Sequence, residues 1–208
     1  RLDERGIEST PRQRRDGWRF AGFSCIIRAR RDAIRRQGDF HDGAPLPPMT
    51  HPAFDIRPAQ TGDLTAILEL WSAMMRDHER SDERIRLAPG AVAAYRTYAN
   101  YHVSHPDSQV LVAEADSEIV GFVLLTISRN LPMFQPAHYG YLSDMAVRED
   151  WRRRGVGQAL LDRVRRWLMA RDIHTIQLQY YDFNELGAAF WKAMGFRPYY
   201  TRMWLDLD

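Results

Sequence analysis

The spacing of apolar positions changes several times along the chain, and each change predicts a separate element. In residues 61–75 the apolar side chains recur every three or four positions, which predicts an amphipathic helix capped at Thr61. The same spacing predicts helices after Pro89, from Gly155 and over residues 184–194. Residues 76–86 are polar, so they are predicted to form a loop.

Strands are predicted where apolar residues alternate or run together over short lengths. These segments are 54–58, 109–115, 118–128, 139–147, 173–181 and 199–207. Asp116 and Ser117 suit a tight hairpin between two of them. The resulting order, βααβββαβαβ, predicts an α/β (α+β) fold with a mixed sheet and helices on both faces.

The first 50 residues differ from the remainder in composition, with 11 arginines against seven acidic residues and no sustained period. They end in a proline-rich stretch at 43–48 that is typical of a linker. We therefore predict a disordered, Arg-rich extension over 1–51 and a folded domain over 52–208. A basic arm for nucleic acid or a membrane surface is the alternative interpretation. We favour the disordered extension, and we expect neither a nucleic acid nor a membrane as a partner.

Composition narrows the class of protein further. Cys25 is the only cysteine, which excludes an internal disulfide within one chain and a cysteine metal cluster. No apolar run approaches the ~20 residues that span a bilayer, and residues 1–15 lack the apolar core of a secretion signal. A cytoplasmic location is therefore expected. The seven histidines show no metal-ligand spacing, so no metal is predicted.

The clearest candidate chemistry lies where the predicted strand 139–147 gives way to a helix. The loop carries Arg152, Arg153 and Arg154, and the helix opens with Gly155-Val156-Gly157-Gln158. The first amides of a helix lack intrahelical partners, and the helix dipole adds positive charge there. Glycine lets an anion approach the backbone closely. The loop is therefore a candidate phosphate site, with a plain surface turn as the alternative.

Two segments in this order resemble the signatures of the GNAT superfamily of N-acetyltransferases. The first is Arg152-x-x-Gly155-x-Gly157. The second runs from Asn184 through the aromatic pair Phe190-Trp191 to Gly195-Phe196. The resemblance implies a mostly antiparallel sheet of about seven strands with helices on both faces. The sheet would be split between two parallel central strands, 139–147 and 173–181.

The resemblance also implies acetyl-CoA as co-substrate and no metal. Backbone groups of Met145, Ala146 and Val147 would hold the pantetheine arm, and amides of the arginine loop would hold the pyrophosphate. The full set implied for cofactor binding is Met145, Ala146, Val147, Arg152, Arg153, Arg154, Gly155, Val156, Gly157, Gln158, Asn184, Phe190 and Trp191. Asn184 could instead be only a helix N-cap, and Phe190 only a core residue.

The implied reaction is direct attack of a primary amine on the thioester in a ternary complex. The acceptor would be a small molecule or a peptide N-terminus. Many family members have a tyrosine as proton donor at the position of Trp191, so that role does not transfer. Another tyrosine, such as Tyr180, Tyr181 or Tyr199, or solvent would replace it. A non-catalytic CoA-binding sensor of the same fold is the alternative function.

Asp144 and Tyr141 are the catalytic candidates. Asp144 is the carboxylate nearest to the expected thioester, although a structural ion pair or cap is an alternative role, and a water chain could replace it as the base. Strand alternation predicts that Tyr141 shares a face with Ser143 and Met145, and that Asp144 points to the opposite face.

The acceptor pocket is expected from the loops 78–87 and 130–138. His78, Asp82 and Glu83 of the first loop could attract a cationic amine, while Phe134 gives the second an apolar character. A solvated charged loop is the alternative. Many family members dimerise through their C-terminal strands, which makes a homodimer a candidate assembly.

Overall fold

The computed structural model describes residues 53–207, which form one five-stranded sheet and four helices. The strands are β1 (Asp55–Pro58), β2 (Ser108–Ala115), β3 (Glu118–Arg129), β4 (His138–Val147) and β5 (Ile176–Leu178). The helices are α1 (Leu64–Ser81), α2 (Ala91–Ser104), α3 (Val156–Met169) and α4 (Glu185–Ala193). Short 3₁₀ turns at Thr61–Asp63 and Glu149–Trp151 precede α1 and α3.

The sheet runs in the order β1-β2-β3-β4-β5, and only the β4–β5 pair is parallel. The β2–β3 hairpin turns through Asp116 and Ser117, which both have positive φ, as a tight primed turn requires. The predicted mostly antiparallel sheet with a parallel strand pair is confirmed. The count of about seven strands is not, because the described residues form five.

Helices cover both faces of the sheet because successive side chains of each strand point to opposite faces, and both faces are apolar. Leu111 and Val123 point to one face, where they pack with the apolar side of α3. Val112 and Phe122 point to the other face, where they pack with α1 and α2. The helix spacing read from the sequence therefore matches two separate apolar clusters, one on each side.

The first helix is longer than predicted, and the expected loop over 76–86 is wrong in its first half. Helix α1 continues to Ser81, so His78 lies in its final turns. Arg80 pairs with Asp77 across one helical turn, and His78 continues the inward-facing spacing of Trp71 and Met75. The charged residues favoured a loop in the prediction, but they belong to an amphipathic helix in which only one side of each turn is apolar.

The predicted C-terminal strand over 199–207 is also wrong. These residues have no regular secondary structure, and Trp204 and Leu205 remain 65% and 80% exposed. Their sequence favours a strand, but a strand also needs a neighbour to complete its hydrogen bonds. None of the described strands pairs with this segment. The strand predicted over 173–181 is present only as β5.

The extension predicted over 1–51 lies outside the described residues. Within residues 53–207, no helix combines the length and apolar character needed to cross a membrane. The same residues contain no cluster of three or more His, Cys, Asp or Glu side chains arranged to hold a metal ion.

Candidate active site

An open backbone edge on β4 is the first component of the site. Strand β5 pairs with β4 at Gly140, Tyr141 and Leu142, and the two strands share no further pairing. The Arg148 amide donates to the Val120 carbonyl on β3 at 2.8 Å. In an antiparallel strand, the backbone N–H and C=O groups of successive residues point alternately to one edge and the other. Since those of Arg148 face β3, the backbone groups of Val147 and Met145 face the open edge. This edge can accept an extended ligand in place of a strand.

A bulge interrupts β4 at Ser143. Opposite it on β3, Leu124 pairs with Asp144 and the next residue, Leu125, pairs with Leu142, so Ser143 has no partner. The extra residue reverses the side-chain alternation beyond it. Ala146 lies opposite Phe122, and its side chain joins the α1/α2 cluster. Its backbone groups face β3, as those of Arg148 do, and so are not part of the open edge.

Because of this bulge, Tyr141 and Asp144 lie on the same face of β4. A Cβ on Gly140 would lie 2.5 Å from Leu168 of α3, so Tyr141, the next residue, points to the opposite face, toward α1 and α2. Asp144 also points toward α1 and α2. The prediction that these two side chains occupy opposite faces is wrong, because strict alternation fails at a bulge.

The arginine loop ends in an uncapped helix N-terminus. Trp151 is buried and anchors the preceding turn, while Arg153 and Gly155 adopt positive φ values of 60° and 87°. No side chain caps α3, and the Ala159 amide is the first to bond, to the Gly155 carbonyl at 3.0 Å. The amides of Val156, Gly157 and Gln158 precede that first bond. Such amides form a ready anion site.

The three arginines of this loop are exposed, and two of them make local contacts. The Arg152 Nε donates to the Val147 carbonyl at 3.2 Å, which places its guanidinium beside the open edge of β4. The Arg154 guanidinium lies 5.2 Å from the Trp151 ring centroid. These contacts keep positive charge close to the helix N-terminus, where it complements a phosphate.

Phe190 of α4 lies against the first turn of α3. A Cβ on Gly157 would lie 3.2 Å from the Phe190 ring and 3.3 Å from the Met145 side chain. Gly157 therefore lets α4 approach the helix N-terminus closely. The structure thus brings Met145, Gly157 and Phe190 together beside the open edge.

Asn184 and Trp191 have structural roles at this end of the sheet. The Asn184 side-chain oxygen accepts a hydrogen bond from the Gly187 amide at 2.8 Å, so it caps α4. Trp191 packs between Phe190 and Phe196, with ring centroids at 4.8 and 5.3 Å, and adjoins the α3-side core. The indole ring is thus a packing element.

Asp144 lies beside two buried aromatic side chains that carry polar groups. Trp71 of α1 stacks on Tyr95 of α2, with centroids 4.1 Å apart. Burial raises the pKa of Asp144 to about 6, while the Tyr95 hydroxyl and the Trp71 indole N–H oppose that rise. Asp144 also raises the pKa of the buried Tyr95 phenol, although burial is the larger cause.

Tyrosine hydroxyls surround the outer side of the same face. The Tyr98 hydroxyl donates to the Ser143 hydroxyl at 3.3 Å. Burial raises the pKa of Tyr141, with smaller contributions from Tyr200, Asp144 and other phenols. Tyr200 in turn contacts the Gln179 side chain just after β5. Tyr141 therefore stays protonated at neutral pH and can donate a proton or a hydrogen bond.

The four residues predicted for the acceptor are dispersed. His78 packs edge-on against Tyr181 and Phe183, with centroids at 5.0 and 6.0 Å, and burial lowers its pKa. The His78 Nδ1 is buried without a hydrogen-bond partner in the described chain. This contact joins the end of α1 to the segment after β5.

The other three residues predicted to contact the acceptor lie on two different loops. The Arg84 guanidinium pairs with Asp82 and lowers the pKa of that carboxyl group to about 2. Glu83 is exposed in the same loop. Phe134 is exposed on the β3–β4 loop, which meets β4 at the end opposite the arginine loop. Asp82, one of the two predicted acids, is thus already paired with an arginine of its own loop.

Sequence reasoning missed Trp71 and Tyr95 as site residues. Their positions fit the apolar faces of two helices, and both are buried, at 7% and 8% exposure. The available signal was chemical, because buried Trp and Tyr normally have a partner for their polar group. Their position on the same side of the sheet as Asp144 arises only from the tertiary packing of α1 and α2 on β4.

Comparison with known proteins adds a family match. The model of the acetyltransferase (GNAT) family matches residues 66–196, a span that includes β4, the arginine loop and α4. The BH1408 protein from Bacillus halodurans, solved as a tetramutant, is 25% identical with a TM-score of 0.67. That alignment covers 74% of this chain and 99% of the other.

Two further solved structures share the fold. A predicted acetyltransferase from Clostridium acetobutylicum, solved with acetyl-CoA, is 22% identical with a TM-score of 0.60, covering 75% of this chain and 96% of the other. An aminoglycoside antibiotic 6′-N-acetyltransferase from Acinetobacter baumannii is 16% identical with a TM-score of 0.60. Its alignment covers 75% of this chain and 99% of the other.

Proposed function

Because this chain belongs to the GNAT family of acetyltransferases, we propose that it transfers the acetyl group of acetyl-CoA to a primary amine. The acceptor would be a small molecule or a peptide N-terminus, and it would attack directly within a ternary complex. The main support is the convergence of the open β4 edge and the uncapped α3 N-terminus at Val147 and Gly155. The β4 edge offers strand-type hydrogen bonds, and the α3 N-terminus offers an anion site.

Acetyl-CoA fits the chemistry of these groups. Backbone groups of Met145 and Val147 would pair with the amides of the pantetheine arm. The amides of the first turn of α3 would bind the pyrophosphate, with the three loop arginines supplying positive charge. Space is available at Gly155, where a Cβ would contact no atom within 4 Å. Phe190 and Asn184 would border the arm from the side of α4.

Asp144 would act as the general base. An amine with a pKa near that of lysine is mostly protonated at neutral pH, so a nearby group must accept its proton. With its pKa raised to about 6, Asp144 is mostly ionised at pH 7 yet more basic than an exposed aspartate. Acetyl-CoA supplies the activated acyl group. The ammonium would lose one proton to Asp144 and attack as the neutral amine. The new nitrogen–carbon bond would form and the carbon–sulfur bond would break. The second proton that leaves the nitrogen would replace, through solvent, the one that Tyr141 gives to the thiolate.

Tyr141 would supply the proton that the leaving thiolate needs. Its phenol shares the face of β4 with Asp144, and its raised pKa keeps it protonated at neutral pH. Trp191 lacks an acidic proton and packs between two phenylalanines. The residue at position 191 therefore does not support a proton donor on α4.

Because Trp191 stands where many family members have a tyrosine proton donor, one alternative function is a CoA-binding sensor without turnover. Both functions require the same cofactor site, so binding alone does not separate them. Amine-dependent release of free CoA separates them directly. Cys25 is the only protein thiol, so a thiol-reactive dye has a background of at most one equivalent.

The decisive assay combines the 208-residue chain, acetyl-CoA and a panel of primary amines. Polyamines, amino acid amides and short peptides cover the general classes, and aminoglycosides enter because one structural neighbour carries that name. We expect amine-dependent CoA release and an acceptor that gains one acetyl group by mass spectrometry. CoA binding without amine-dependent release anywhere in the panel would support the sensor instead.

A homodimer is the assembly we propose for the folded region. The C-terminal segment exposes Tyr199, Trp204 and Leu205, which is unusual for apolar side chains without a partner. Light scattering after size-exclusion chromatography tests this proposal. A mass of twice the 24.3 kDa chain is expected, and a monomeric mass across the accessible concentration range would contradict it.

A further inference from the structure

A row of neutral polar side chains crosses the sheet on the face that carries α1 and α2. Thr126 of β3 pairs with Ser108 of β2 on one side and with Tyr141 of β4 on the other, and Tyr141 pairs with Gln177 of β5. Directly paired residues of neighbouring strands point to the same face of a sheet. We call these four residues, Ser108, Thr126, Tyr141 and Gln177, the polar row.

The apolar cover of the helices ends at the polar row. Val110 and Leu124 lie two residues further in on β2 and β3, on the same face, and both are buried against α1 and α2. The four residues of the polar row are only half-buried. Asp144 pairs with Leu124, which lies about 7 Å along β3 from Thr126. The row is therefore a polar step between the core and solvent, next to Asp144.

Helix α2 adds two polar side chains at the border of the polar row. The His102 Nδ1 and the Ser108 Oγ lie 2.6 Å apart, at hydrogen-bond distance. The Tyr98 hydroxyl donates to the Ser143 hydroxyl at 3.3 Å, and the rings of Tyr98 and His102 are in edge contact, with centroids 4.4 Å apart. Burial lowers the pKa of His102, with a smaller contribution from His105, so its imidazole is neutral at pH 7. These contacts fix the groups in place without adding charge.

The chemistry of this surface favours an acceptor that carries hydroxyl groups. Hydroxyl and amide side chains both donate and accept hydrogen bonds, and the hydroxyl groups of a sugar do the same. A polyamine has several positive charges, which favour a site with several carboxylates. The side chains of the polar row, Tyr98, His102 and Ser143 include no acid. A peptide can pair its backbone with a strand edge, whereas the polar row lies on the face of the sheet.

We propose that the polar row is the acceptor-binding surface and that its ligand is a monoamino sugar, a ring with one amine and several hydroxyl groups. The inference rests on the proposed acetyl transfer, and the bonds formed and broken remain those of that reaction. Hydroxyl groups of the sugar would bond to Ser108, Thr126 and Gln177, while its amine approaches Asp144. Acceptor binding is thereby assigned to the face of the sheet rather than to the loops 78–87 and 130–138.

The test removes polar groups from the row without changing the shape of the side chains. Thr126→Val keeps the branched shape that suits a strand but lacks the hydroxyl group. Gln177→Met keeps the length of the side chain on a different strand and lacks the amide. Thr97→Val is the matched control, because it makes the first replacement at an exposed position of α2. Urea unfolding verifies that all three variants are folded.

Binding to the 208-residue chain is measured by saturation-transfer NMR with free CoA present. The probes are glucosamine, galactosamine, mannosamine and 3-amino-3-deoxyglucose. Cyclohexylamine supplies a six-membered ring without hydroxyl groups, and spermidine and glycyl-alaninamide represent the other acceptor classes. We expect at least one sugar to bind more tightly than cyclohexylamine. Thr126→Val and Gln177→Met should each weaken that binding about three- to tenfold, the loss of one hydrogen bond, and leave cyclohexylamine unaffected. The control should bind every probe as the wild type does.

Turnover gives a second measurement of the same effect. The KM for the sugar should rise by the same factor in the two variants, while KM for acetyl-CoA stays constant. The value of kcat should change little, because the lost hydrogen bond is made in both the ground state and the transition state. Each acceptor is compared with itself across the variants, so the different basicities of the amines cancel.

Two outcomes would overturn the proposal. If no monoamino sugar binds more tightly than cyclohexylamine, the surface does not recognise hydroxyl groups. If a sugar binds the two row variants as tightly as the wild type, it binds elsewhere. Sugar binding that depends on the polar row, in a protein that never releases CoA, would reject acetyl transfer and leave the binding surface intact. Turnover of spermidine or the dipeptide without sugar binding would reject the binding surface alone.

Discussion

Tyr141 and Asp144 point to the same face of β4 although three positions separate them. The bulge at Ser143 causes this arrangement, because it inserts one residue opposite the Leu124–Leu125 step of β3. A phenol that stays protonated and a carboxyl group with a raised pKa therefore lie on the same face of the strand. The same bulge directs the backbone of Met145 and Val147 to the open edge.

Replacement of Asp144 by Asn should remove the base and preserve the fold. We expect kcat/KM to fall by about 10²- to 10⁴-fold, the usual contribution of a positioned base. Asp116→Asn is a suitable control, because it lies in the β2–β3 turn and asparagine tolerates its positive φ. Steady-state kinetics at pH 7.5 measures both. A variant that retains wild-type kcat/KM would show that solvent removes the proton.

The pH dependence of stability follows from the raised pKa of Asp144. The folded protein holds this proton up to about pH 6, whereas the unfolded chain releases it near pH 4. The free energy of unfolding should therefore decrease as pH rises between about 4 and 6, by at most about 3 kcal/mol from this group. Urea unfolding of wild type and Asp144→Asn across that window isolates the contribution. A constant difference between the two proteins would show that the carboxyl group has an ordinary pKa.

Gly155→Ala should destabilise the domain, because φ at this position is 87° and a Cβ is strained there. A loss of about 1 kcal/mol in the free energy of unfolding is expected. Gly62→Ala is the matched control, since its Cβ would meet no atom and its φ is not positive. Equal stability of the two variants would mean that the loop adopts another conformation in solution.

Trp191→Phe separates packing from catalysis at the aromatic pair. The indole packs on Phe190 and Phe196, so we expect a loss of about 1–2 kcal/mol in stability and an unchanged kcat. Trp167→Phe, on α3, controls for the loss of an indole elsewhere. A large fall in kcat at Trp191 alone would assign it a direct part in the reaction.

Local signals in the sequence predicted the positions of the four helices, the hairpin and the arginine loop correctly, although not the C-terminal end of α1. Helix spacing, the Asp116-Ser117 turn and Gly155 before Val156 each depend on residues close in the chain. The bulge at Ser143 depends instead on the register between β3 and β4, which a single strand does not reveal.

The remaining differences have the same physical origin. The segment 199–207 has strand propensity, but pairing needs a neighbour that propensity does not supply. His78 extends α1 because it packs on Tyr181 and Phe183, about 100 residues away in sequence. Trp71 and Tyr95 fit an apolar helix face, and only the tertiary structure brings their two rings together on the side of the sheet that carries Asp144.

The binding of CoA tests the central claim most directly. Thermal unfolding of the 208-residue chain is measured without ligand and with acetyl-CoA, free CoA or AMP. At 100 times the dissociation constant, binding adds about 2.7 kcal/mol, or roughly 5–10 °C for a domain of this size. We predict that both CoA species raise the unfolding temperature and that AMP does not. An unfolding temperature unchanged by either CoA species, in folded protein, would contradict the assignment of the β4 edge and the Arg152–Gln158 loop as the cofactor site.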